Sequence, residues 1–125
     1  MGSVIIRPVA IGRNTLTNEH VAVVKVDEDT YEVWGWTPPA RDYNVLLQFP
    51  ASSVTRAGSV GYLTPSANDD FWTSDAMMMV MFDRKELYWR GNPLEWLEPS
   101  VWDIYTAASA RNEHLVGAPI RRSSR

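Results

Sequence analysis

The chain has no cysteine, which excludes disulfide staples, thiolate metal centres and cysteine nucleophiles. Lysine is almost missing as well: Lys25 and Lys85 stand against ten arginines, a bias common in products of GC-rich genomes. Histidine occurs only at 20 and 114, and neither has a second ligand at metal-binding spacing. The glycines are scattered and never fall into the spacing of a phosphate loop or a dinucleotide fingerprint. Long apolar runs are absent too. The longest, Ala76 to Phe82, falls well short of the roughly 20 residues needed to cross a bilayer as a helix. Behind Arg7 there is no apolar segment of the kind a secretory signal carries, so a cytoplasmic, non-membrane protein is expected.

What is present is ordinary in amount and uneven in distribution. With 125 residues, 45% of them apolar and 22% charged, the chain has the length and composition of one globular domain. That domain is expected over residues 1–117, with 118–125 a disordered basic tail. The net charge of −3 hides an asymmetry. Arg111, Arg121, Arg122 and Arg125 face Glu113 alone beyond residue 110, leaving the body acidic. An acidic body argues against nucleic acid as a partner, since backbone binding works by neutralising phosphates with Lys and Arg. The tail arginines, Arg121 and Arg122 in particular, suit an acidic protein partner.

Alternation and turn residues predict a mostly β (α+β) chain. Val4 to Ile11 reads as a strand interrupted by Pro8, which cannot donate to a ladder. His20 to Val26 and Tyr31 to Trp36 surround the polar loop Asp27–Thr30 and make the strongest hairpin signal, apolar on both faces. Asn44 to Phe49 is another strand and Ser59 to Leu63 a weaker one. Pro65 to Asp75 reads as a surface loop. Met77 to Phe82 and Leu87 to Trp89 flank Asp83–Glu86 as a second hairpin, and Pro93 to Leu97 as a helical turn. Ser100 with Asp103 resembles a capping box, and Val101, Ile104, Tyr105 and Ala108 fall on one helical stripe. The expectation is a small curled antiparallel sheet or barrel built from two hairpins, with one C-terminal helix.

No catalytic, metal-binding or cofactor constellation emerges. Gly58-Ser59-Val60-Gly61 lacks nucleophile-elbow spacing. Asp27-Glu28-Asp29 and Asp69-Asp70 lack the glycine and terminal glutamate of a calcium loop. The aromatic and sulfur residues carry more signal. Six tryptophans are present, and tryptophan is over-used at interfaces because it joins a large apolar area to one N–H donor. Phe71 and Trp72 sit in a polar stretch beside Asp69 and Asp70, where an aromatic has no local core to enter. Met78 belongs to a run (Met77, Met78, Met79, Met81) of the adaptable residue favoured on binding surfaces. At least one of these methionines should face away from the core. The candidate partner-binding set is Phe71, Trp72, Asp69, Asp70, Met78, Arg121 and Arg122. The function expected is a small non-enzymatic protein–protein interaction module, such as a phage or mobile-element accessory protein that binds or blocks a partner. The alternatives are an assembly or virion subunit, which would form a homo-oligomer, and a small ligand-binding barrel with a Trp-lined pocket.

Overall fold

In the computed structural model the described residues are 8–57, 70–73, 75–98, 102, 119 and 121–123. The strands are β1 (Pro8–Arg13), β2 (His20–Asp27), β3 (Thr30–Trp36), β4 (Asp42–Pro50) and β5 (Val54–Ala57). They continue as β6 (Asp70–Thr73), β7 (Met78–Met81), β8 (Glu86–Trp89), β9 (Asn92–Leu97) and β10 (Arg121–Arg122). A 3₁₀ turn, Ala51–Ser53, joins β4 to β5. The strands form one sheet in the order β10-β4-β3-β2-β1-β9-β8-β7-β6-β5. All pairs are antiparallel except β10 with β4. Among the described residues no helix is long and apolar enough to cross a membrane.

The hairpin expected around residues 27–30 is present and longer than the sequence suggests. Its ladder runs from His20 opposite Trp36 to Asp27 opposite Thr30, so the turn narrows to Glu28 and Asp29. The Asp27 carboxylate accepts the Asp29 N–H at 2.8 Å and closes that turn, a local bond typical of aspartate at turns. The β-branched run is covered on both faces, as its lack of alternation implies. Val21 and Val23 enter one buried cluster, while Ala22 and Val24 enter another.

The first cluster shows how the sheet curls. Tyr31 on β3 stacks on Phe49 with ring centroids 5.5 Å apart and lies 6.1 Å from Phe71 on β6. Five strands separate β3 from β6 in the sheet, so only a nearly closed sheet brings those rings together. The corner is β9. Glu95 to Leu97 pair with β1, whereas Asn92 to Leu94 pair with β8. Gly12 of β1 sits against that corner: a Cβ there would lie 2.7 Å from the Leu94 Cβ and 3.0 Å from Leu87 Cδ2. A residue without a side chain lets the two strands cross at this distance.

Several expectations need correction. Pro93 to Leu97 is strand β9, not a helical turn. Arg90 (φ 53°) and Gly91 (φ 80°) both take positive φ between β8 and β9, the two-residue hairpin turn whose twist matches the strands. Arginine is an uncommon first residue there, and its guanidinium lies 5.1 Å from the Trp89 ring. Residues 70–73, expected within a surface loop, form β6, and Phe71 is a core ring at 1% exposure. Strands of four residues leave almost no periodic signal, which also explains why β5 was not expected. The tail is tied down at Arg121 and Arg122, which pair with Asp42 and Tyr43. Ser123 N–H donates to the Tyr43 carbonyl at 2.7 Å. An open strand edge supplies backbone partners that the tail sequence does not announce. The strands expected before Pro8 and over 59–63, and the helix expected from Ser100 apart from Trp102, lie outside the described residues.

Candidate functional site

Two outward faces of the sheet differ in what lies on them. On β1–β4 the face opposite the main core is closed by the second buried cluster: Ile11, Ala22, Val24, Trp34, Trp36 and Trp102. Trp34 stacks on Tyr43 with centroids 3.8 Å apart, and Trp102 lies 6.2 Å from Trp34 and 5.9 Å from Trp36. Glu32 is buried beneath this layer. It accepts the Trp34 indole N–H at 2.8 Å and a Gln48 amide N–H at 2.9 Å, one on each oxygen. His20, at the end of β2, packs 5.5 Å from Trp36 and hydrogen-bonds through Nδ1 to the Asn18 carbonyl. Burial is the main cause holding its pKa below the ordinary histidine value, against the opposing Asn18 bond. These tryptophans pack on one another and on the strands.

On β6–β9 alternation separates two kinds of row. Phe71, Val80, Leu87 and Leu94 face one another across successive strands and belong to the core. One residue along, the ladder puts Thr55 opposite Trp72, Trp72 opposite Met79, Met79 opposite Tyr88, and Tyr88 opposite Pro93. Directly opposed residues share a face, so these side chains form a row on the outside. Trp72, Met79 and Tyr88 are half-buried, and Thr55 and Pro93 are exposed. No buried cluster of described residues includes any of them.

A second outward row lies beside the first. Met81 opposes Glu86, and Asp70 precedes Phe71, whose partner is Val80, so Asp70 falls next to Met81. The Asp70 carboxylate accepts the Phe82 N–H at 2.8 Å. Glu86 accepts the Tyr88 hydroxyl at 3.1 Å, and that bond is the chief reason the phenol's pKa is raised. The turn leading into β7 is pinned by Asp75, which accepts the Thr73 hydroxyl at 2.7 Å and the Met77 N–H. The hydroxyl bond is the main cause that lowers the Asp75 pKa. The surface thus offers two aromatic rings, two methionines and two carboxylates.

Of the residues singled out from the sequence, this face brings together Trp72 and Asp70. Phe71 and Met78 are core residues with 1% and 0% exposure. Alternation places each on the strand face opposite its candidate neighbour. Asp69 lies outside the described residues. Arg122 is exposed elsewhere, beside an open hollow of about 580 Å³ lined by Asn44, Val45, Leu46, Arg122 and Ser123. Of Arg121 only the backbone pairing is described. At least one methionine was expected opposite the core, and two are there, Met79 and Met81. Tyr88 and Glu86 were not among the candidates. The available signal was parity: once Leu87 and Trp89 face the core, Glu86 and Tyr88 face out.

The carboxylates Glu95 and Glu98, a conceivable acid–base pair, are held apart by separate cations. Arg13 Nε donates to Glu95 at 2.7 Å and Lys85 Nζ to Glu98 at 2.9 Å. Among the described residues no three His, Asp or Glu side chains converge as metal ligands. Comparison of the chain with family models, with curated proteins and with solved structures gave no match.

Proposed function

We propose that the protein is a binding module that engages a protein partner through the outward face of β6–β9. The observation that carries this reading is the row Trp72–Met79–Tyr88–Pro93, two aromatic rings, a thioether and a proline on the strand face opposite the buried cluster of described residues. Strand faces turned to water normally alternate to polar residues. Here the outward positions hold residue types enriched at protein interfaces. The neighbouring Asp70 and Glu86 supply the polar margin such surfaces have.

The test is site-directed crosslinking in the native host. A photoreactive phenylalanine analogue replaces Met79 in one variant and Lys25, exposed on β2, in another. A partner captured at 79 and not at 25, and lost when Tyr88→Ala is added, is the expected result. Capture at 25 alone, or capture at 79 that ignores Tyr88→Ala, overturns the assignment of this face.

A further inference from the structure

We infer that the partner segment is cationic: a short extended stretch of protein bearing arginine or lysine, laid along the Trp72–Tyr88 row with its charges toward Asp70 and Glu86. This rests on the binding reading above and names the chemistry of what binds. The first argument is the geometry of the two rows. Trp72, Met79, Tyr88 and Pro93 make a strip one side chain wide across four strands. At the usual strand spacing this is roughly 14 Å long, the reach of about four extended residues. Asp70, Met81 and Glu86 run alongside it, so a segment on the strip meets carboxylates on one flank.

The second argument is which charges are already matched. Among the described residues, Asp70 and Glu86 are each bonded through one oxygen, Oδ1 to the Phe82 N–H and Oε1 to the Tyr88 hydroxyl. The basic residues around β9 are engaged elsewhere. Lys85 pairs with Glu98, Arg13 with Glu95, and Arg90 lies over Trp89. Arg84, at the tip of the β7–β8 hairpin, is the cation whose charge reaches Tyr88. Against Arg84 and Arg90 stand Asp70, Glu86 and the exposed Asp75 and Asp83, so among the described residues carboxylates outnumber these two cations beside the strip. The third argument is the strip itself. Tryptophan and tyrosine faces attract a guanidinium or ammonium, and methionine fits an aliphatic stem of variable shape. An acidic segment would meet like charge on its flank and gain nothing from the rings.

The measurement is a methionine-methyl NMR titration of the intact chain with a short peptide alternating arginine and threonine. Counterparts carry glutamine or glutamate in place of arginine. The arginine peptide is expected to move the Met79 and Met81 signals and leave Met78, sealed in the core, in place. Its affinity should fall as salt is added, and fall by about threefold to fivefold with each of Asp70→Asn and Glu86→Gln. Both variants keep the acceptor oxygens that bond Phe82 and Tyr88. Equal affinity for the glutamine peptide would overturn the cationic assignment and leave the contact face standing. Silence of Met79 and Met81 to every peptide, with crosslinking at 79 still succeeding, would also overturn it alone. Silence together with failed crosslinking would remove both.

Discussion

The β1–β4 half and the β6–β9 part of one sheet solve burial differently. In β2 and β3, strands of eight and seven residues are covered on both sides. Every position from His20 to Val24 and from Tyr31 to Trp36 is buried. In β6, β7 and β8, strands of four residues alternate strictly between buried and half-buried. The same residue types, tryptophan above all, therefore have different roles. Trp34 and Trp36 are packing beneath Trp102, whereas Trp72 is half-buried and outside the buried clusters of described residues. Hydrophobicity alone does not distinguish them; the presence of a second layer does.

The sharpest way to break this comparison is to place the same charge on the outer face of each part. Val24→Asp buries a carboxylate at a site with 0% exposure, and the desolvation cost is several kcal/mol or more. We expect loss of the cooperative thermal transition. Met79→Asp, on the half-buried row, should cost no more than about 1 kcal/mol. Equal melting temperatures for the two variants would show that the faces do not differ.

A second contrast lies within β6. Phe71→Ala empties a fully buried ring site and should cost about 3–5 kcal/mol in a urea titration. The neighbouring Trp72→Ala, at a half-buried site, should cost about 1 kcal/mol, the usual scale for a point substitution. Near-equal losses would mean that Trp72 is covered as its counterparts on β3 are.

Next is the joint between the two parts. Gly12→Ala puts a methyl group 2.7 Å from the Leu94 Cβ, an atom that moves only with its backbone. Such overpacking typically costs about 1–3 kcal/mol. Because β9 bridges the parts, hydrogen exchange should rise in both β1 and β8; a rise confined to one would separate them.

The smallest effect is a pH dependence, and it belongs to the covered half. Burial lowers the His20 pKa from its ordinary 6.5. Well above pH 6.5 neither the folded nor the unfolded chain protonates this ring. As pH falls from 6.5 toward the lower folded value, the unfolded chain binds the proton first, so stability drops with falling pH. The urea midpoint of the parent should fall across that window more than that of His20→Gln. Parallel curves would show that His20 is not the group responsible.

Legibility followed the same division. The β2–β3 hairpin could be read because a run carrying four valines (Val21, Val23, Val24 and Val26), a turn of acidic residues and a second aromatic run all point one way. Their burial on both faces could be read as well, since Val21, Val23 and Val24 break alternation. The β6–β9 part gave partial signals. The methionine run reads as two-sided, and Trp72 and Asp70, both singled out from the sequence, fall on outward positions of β6. Their buried neighbours Phe71 and Met78 were assigned to the same role because strand parity was not established. Arg90-Gly91 hid a hairpin because glycine was present but the usual Asn or Asp before it was not.

The sequence by itself determined that the chain is mostly β, that its chemistry excludes thiols, and that it carries six tryptophans and five methionines. These follow from composition and from contacts a few residues apart. The tertiary structure decided which tryptophans are core, where the acidic and aromatic rows meet, and that Phe71 touches Tyr31. Those outcomes depend on β9 leaving one ladder for another and on distant segments supplying the cover. A side chain on a four-residue strand has two faces available, and only the layer that arrives from elsewhere in the chain makes one of them the inside.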